Sequence, residues 1–156
     1  MPEHNASAQD IDHVAARLVA CLPELTRALD RQVARDFAHP KPPEAQLALL
    51  RHVEDNDGVT VRAAAEALLM KPNNVSAMVT QLTEQGLLER RQDLADKRVA
   101  HLHLTPVARQ QVADVERLLS THLGHALRAL TDGEMDAIGS ALGALAALTQ
   151  HVQARH

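Results

Sequence analysis

The chain has 156 residues and a formal charge of −4, and 46% of it is hydrophobic. That is the size of one core-bearing domain or of a small domain with an extension, and it excludes a uniformly basic nucleic-acid coat, so any DNA contact has to be a local surface. One Phe, no Tyr and no Trp leave packing to Ala and Leu, which favours helices over sheets.

The single cysteine, Cys21, cannot form an intrachain disulfide and suits a reducing compartment. The opening MPEHNASAQD has no basic start leading into an apolar run, so no signal peptide is expected. The most apolar stretch, residues 138–148, is well short of the roughly 20 residues that span a bilayer. The expectation is a soluble, cytoplasmic protein with no membrane partner.

In chain order, residues 1–9 read as a flexible tail. From Asp10 an apolar stripe runs through Ile11, Val14, Leu18, Cys21, Leu22, Leu25, Leu29, Val33 and Phe37, the spacing of a long helix. Pro23 interrupts it and predicts a kink. HPKPPE ends it near Ala38, and a second helix starts near Glu44, burying Leu47, Leu50 and Val53. EDNDG is a loop. Thr60 is placed to cap a short third helix, and Pro72 suits the first turn of a fourth, which Gly86 ends as a left-handed cap. LLERR and RVAHLHL then read as two strands joined by QDLAD. A fifth helix starts at Thr105 and buries Val112, Val115, Leu118, Leu119, Leu123 and Leu127. TDG ends it, and a sixth runs from about Glu134 to Val152 on Ile138, Leu142, Leu145 and Leu148. The fold expected is mainly α with a small β-hairpin.

Two parts of this pattern carry chemistry. In the fourth helix Val75, Met78, Val79 and Leu82 make a core face, and the opposite face carries Asn73, Asn74, Ser76, Ala77, Thr80 and Gln81. Short, neutral, hydrogen-bonding side chains of this kind can address base edges in a major groove, and an Ala methyl can meet a thymine methyl. The hairpin adds Arg90 and Arg91 before its turn and Asp96, Lys97 and Arg98 after it. Such a hairpin can follow phosphate and place an arginine in a minor groove. Asp96 is placed to orient the Arg98 fork.

The order from PPEAQLALLRHV through VSAMVTQLTEQGLLERR to DKRVAHLHLT resembles the MarR family of winged helix-turn-helix regulators, over roughly residues 10–152 and most strongly over 59–105. The resemblance implies a helical dimerisation region (10–38 and 105–152) around a DNA-binding winged helix (44–104). It implies a homodimer whose recognition helices enter successive major grooves of a pseudo-palindromic operator in double-stranded DNA, with half-sites about one helical turn apart. By position, Asn73 to Gln81 would read bases, Arg98 would be the wing-tip arginine, and Arg62, Lys71, Arg90, Arg91 and Lys97 would meet phosphate. Repression released by a small molecule, often a lipophilic or aromatic anion, is implied too; His13, Arg17 and His52 are the candidate lining.

The chain departs from the family pattern at Ala77 and Gln81, where relatives are often basic, and at Leu69 and Ala108, where they often carry glycine. A redox- or zinc-responsive variant of the same fold would use Cys21 or the pairs His101/His103 and His122/His125, but Cys21 lies in an apolar stripe without tyrosines nearby, and the histidines lack thiolate or carboxylate company at fixed spacing. No cofactor is expected. No phosphate loop, nucleophile elbow or metalloprotease motif is present, so catalysis is not expected.

Overall fold

A computed structural model describes residues 7–154. It contains six helices and one hairpin in the order α1 (Ala8–Asp36), α2 (Glu44–Asp55), α3 (Val61–Ala67), α4 (Pro72–Glu84), β1 (Leu88–Gln92), β2 (Ala100–Leu104), α5 (Pro106–Arg128) and α6 (Asp132–Gln153). No helix among the described residues is long and apolar enough to cross a membrane. The chain divides into two compact units, one ending at Leu119 and one starting at Ser120.

The expected tail over residues 1–9 is too long at its C-terminal end. Ser7 accepts from the Asp10 backbone N–H, and the Asp10 carboxylate answers to the Ser7 backbone. This reciprocal cap starts α1 at Ala8; residues 1–6 lie outside the described residues. Pro23 lies inside α1, which remains one helix on both sides of it.

The first unit is built on a core shared by α2, α3, α4, the hairpin and the start of α5. Leu49, Leu50, Val53, Ala64, Ala65, Val75, Val79, Leu82, Leu88, Leu102 and Val112 are all buried in it. Each large aliphatic side chain removed from water contributes about 1.5–3 kcal/mol, and one continuous cluster is what holds a 7-residue helix such as α3 in place. A smaller cluster joins the end of α1 (Val33, Phe37) to Leu47 and Val115.

Local chemistry sets the element ends. Thr60 Oγ1 accepts from the Ala63 N–H and caps α3. Pro72 occupies the first turn of α4. Gly86 follows with φ +71°, and the Leu87 N–H closes the helix on the Leu82 carbonyl at 2.8 Å. Between α3 and α4, Leu69 has φ +54°, the left-handed conformation that costs a non-glycine residue roughly 1–2 kcal/mol. Thr105 ties the hairpin's exit to α4: its hydroxyl donates to the Gly86 carbonyl at 2.8 Å and accepts from the Ala108 N–H.

The second hairpin strand is shorter than expected at the turn, and the first reaches one residue further into it, to Gln92. They pair antiparallel from Leu88↔Leu104 to Gln92↔Ala100. Residues 98 and 99 belong to the turn because the Asp96 carboxylate accepts from the Arg98 N–H and the Asp96 carbonyl from the Val99 N–H.

In α5, Val112 and Val115 are buried and Leu118 and Leu119 partly so. Leu123 is 38% exposed, against the burial expected of it. The apolar stripe of α6 is exposed as well. A cap from Thr131 and Glu134 starts the helix, but Ile138, Leu142, Leu145 and Leu148 are 41%, 60%, 37% and 44% exposed. The stripe exists, and among the described residues it is left in good part exposed.

Candidate nucleic-acid interface

The α4 core face is anchored by Val75, Val79 and Leu82, each with no exposed surface. The helix therefore turns Asn73, Asn74, Ser76, Ala77, Thr80 and Gln81 outward, and all six are exposed. Two of them have partners in the free chain. Gln81 Oε1 accepts from Gln46 Nε2 at 3.0 Å. Thr80 Oγ1 donates to the Ser76 carbonyl at 3.1 Å and accepts from Arg90 Nη2 at 3.0 Å.

The cations differ in their engagement. Arg62 is bridged to Glu66 on its own helix at 3.1 Å and Arg91 to Glu89 at 3.1 Å. Both pairs are largely exposed, so each is weak and open to exchange with phosphate. Lys71, Lys97 and Arg98 are exposed, and none of their side chains forms an ion pair with a described carboxylate. The Asp96 contact to Arg98 is to its backbone N–H, at 2.9 Å. The expectation that Asp96 holds the guanidinium fork is corrected accordingly: Asp96 fixes the chain beneath Arg98 and leaves the fork open.

Sequence reasoning missed Asp93. Its Oδ1 accepts from the Ala95 N–H at 2.8 Å and the Asp96 N–H at 3.0 Å, while its Oδ2 meets His101 Nε2 at 2.9 Å. These contacts, the histidine first, pull its pKa from 3.8 to about 2. An Asp between two strands whose side chain can accept from backbone N–H groups two and three residues on is an Asx-turn signature, so a signal was there. His101, considered as a zinc ligand, is instead bonded through Nδ1 to the Gly58 carbonyl at 2.7 Å, and Asp93 and Gly58 together raise its pKa. His103 meets Asp57 at 2.9 Å. Among the described residues no group of three or more His, Cys, Asp or Glu is placed to hold a metal ion. Cys21, read as a packing residue, is exposed on α1 within the single chain.

An open pocket of about 740 Å³ lies beside the C-terminal half of α4, lined by Pro40, Lys41, Gln46, Gln81, Leu87 and Gln111 among others. His13, Arg17 and His52 do not line it. His13 and Arg17 are exposed on α1, and His52 is half-buried at the end of α2.

Residues 41–99, which hold α2 to the hairpin turn, match the model of the MarR family. Among solved structures, a Pseudomonas aeruginosa PA01 protein classed with the transcriptional regulators is 26% identical, with a TM-score of 0.75 over 93% of this chain and 99% of that one. YusO from Bacillus subtilis is 23% identical, with a TM-score of 0.69 over 90% and 98%. FabT of Streptococcus pneumoniae, solved in complex with DNA, is 17% identical, with a TM-score of 0.71 over 92% and 99%. No curated protein sequence matches the chain.

Proposed function

We propose that this chain, a member of the MarR family by its winged helix, is a homodimeric repressor that binds a pseudo-palindromic site in double-stranded DNA and leaves it when a small molecule binds. The observation that carries the reading is the outward face of α4: six short neutral side chains on a helix whose other face is fully buried, with the hairpin cations beside it. Solvated helix faces usually carry Lys and Glu. This one is suited to base edges, with Asn73, Asn74 and Gln81 pairing to adenine and Ser76 and Thr80 adapting to several bases.

In this reading Lys71, Arg90, Arg91 and Lys97 contact phosphate, Arg62 does so on leaving Glu66, and Arg98 enters the minor groove from the turn that Asp96 shapes. The DNA complex of FabT supports this use of the shared fold. A second copy would cover the apolar residues that α1 and α6 each leave exposed, and it would set two α4 helices about 34 Å apart, one helical turn of DNA. A ligand favouring a different spacing would shift the population away from the DNA-competent state. We assign His13, Arg17 and His52 to such a site, completed by the second copy and suited to an aromatic or lipophilic anion.

Hydroxyl-radical footprinting on DNA upstream of the chain's own coding sequence tests the reading, with transcription from the same fragment as a second readout. Two protected segments one turn apart, a minor-groove protection lost in Arg98→Ala, and reduced transcription are expected. Protection without two-fold symmetry, or raised transcription, would contradict the dimer or the repressor role respectively.

A further inference from the structure

His101 ties the turn of the wing to the loop between α2 and α3. His101 Nδ1 lies 2.7 Å from the Gly58 carbonyl oxygen, and its Nε2 lies 2.9 Å from Asp93 Oδ2. A backbone carbonyl can only accept. Asp93 is ionised and can only accept as well. Both ring nitrogens must therefore donate at once, which only the imidazolium can do; a neutral ring would set a lone pair against one of the two oxygens.

The link continues outward. Asp93 accepts from the Ala95 and Asp96 N–H groups, its own N–H donates to the Val99 carbonyl, and Asp96 accepts from the Arg98 N–H. The chain of contacts thus runs from the α2–α3 loop through His101 to the backbone that presents Arg98. We propose that His101, as the imidazolium, is the positioning residue of the wing and makes the wing's contribution to DNA binding depend on pH. This role rests on the DNA-binding reading above.

The charges around the ring agree. Asp93 faces it from the wing turn, and Asp57 in the α2–α3 loop is held by His103, two residues along β2. Arg91, its cross-strand partner on β1, is bridged to Glu89. The nearest charged residues on α3, Arg62 and Glu66, are paired with each other, and the last turn of α2 carries His52, Glu54 and Asp55. The sign follows from the ring's raised pKa, with 6.5 as its ordinary value. The clamp is complete below the ordinary value and is lost as pH rises through the higher, folded-state value.

The test joins two measurements on the intact protein between about pH 6 and about pH 9, the interval in which such a histidine changes charge. Ring-nitrogen NMR reads the His101 titration, and fluorescence anisotropy reads affinity for the operator. The expected result is a His101 titration above the ordinary range and a several-fold loss of affinity as it titrates. In His101→Gln the affinity is lower at the acid end and flat with pH. Asp93→Asn, which keeps an oxygen for the turn N–H groups, lowers the His101 pKa and moves the affinity midpoint with it, so the proposal is still tested if His101→Gln does not fold. A wild-type pH profile retained in His101→Gln, or a midpoint unmoved in Asp93→Asn, overturns the positioning role while selective DNA binding stands. Absence of selective binding at every pH overturns the DNA-binding reading itself, and this role with it.

Discussion

The Arg90 guanidinium donates to the Thr80 hydroxyl at 3.0 Å, so the first strand of the hairpin is fastened to the outward face of α4. Both side chains are exposed, and in the DNA-bound state they have separate tasks. Arg90→Ala removes a phosphate contact and leaves Thr80 Oγ1 with its bond to the Ser76 carbonyl. Binding to specific and scrambled duplexes should weaken alike, and the log–log salt slope should fall by about 1. A slope unchanged from wild type would take Arg90 off the phosphate.

Leu69 holds φ +54° between α3 and α4 while 53% exposed. Leu69→Gly relieves roughly 1–2 kcal/mol of backbone strain and adds unfolded-state entropy worth about 0.4–1 kcal/mol. Relief exceeds cost, so urea unfolding should show a gain of about 0.5 kcal/mol. A net loss would mean that the partly covered side chain matters more than its backbone.

Leu142 is 60% exposed at the middle of the α6 stripe. In the proposed homodimer it is covered. Leu142→Glu places a charge in that interface, and sedimentation should show monomer at concentrations where the wild type is dimeric. DNA affinity should fall with it. A dimer of unchanged strength would place the interface elsewhere.

Glu134 accepts from the Thr131 backbone N–H at 2.9 Å and from its hydroxyl at 2.8 Å, in that order of effect, and its pKa lies below the ordinary 4.5. A lowered pKa means stabilisation that is present above the ordinary value and lost as pH falls through the lower one. Amide exchange in the first turn of α6, corrected for intrinsic rates, should rise as the solution is acidified through that range. Glu134→Gln should remove the rise; if it persists, the cap is not its source.

Arg17 is exposed on α1 and is the cation assigned to the effector site. Aromatic carboxylates should release wild-type protein from DNA and act more weakly on Arg17→Ala. Equal release from both would remove Arg17 from that site.

The helices were legible because each buried face repeats along the chain: Val75, Val79 and Leu82 can be read as a core face without knowing what they touch. The same logic could not say whether a stripe finds its cover in the same chain, which is why Leu123 was expected to be buried. Caps at Thr60, Pro72 and Gly86 depend on neighbours in sequence and were legible too. The His101 clamp was not, because Gly58 lies 43 residues away and two acceptors on one ring appear only in three dimensions. Asp96 shows the intermediate case. Its nearness to Arg98 was plain, but the choice of backbone over guanidinium is made by the turn.

The most direct test of the account is fluorescence anisotropy with the upstream DNA and a scrambled duplex of equal length, titrated across a salt series. The upstream DNA should be bound at least about 10³-fold more tightly at matched salt, with a steep fall in affinity as salt rises. Equal, weak binding to both duplexes would contradict it.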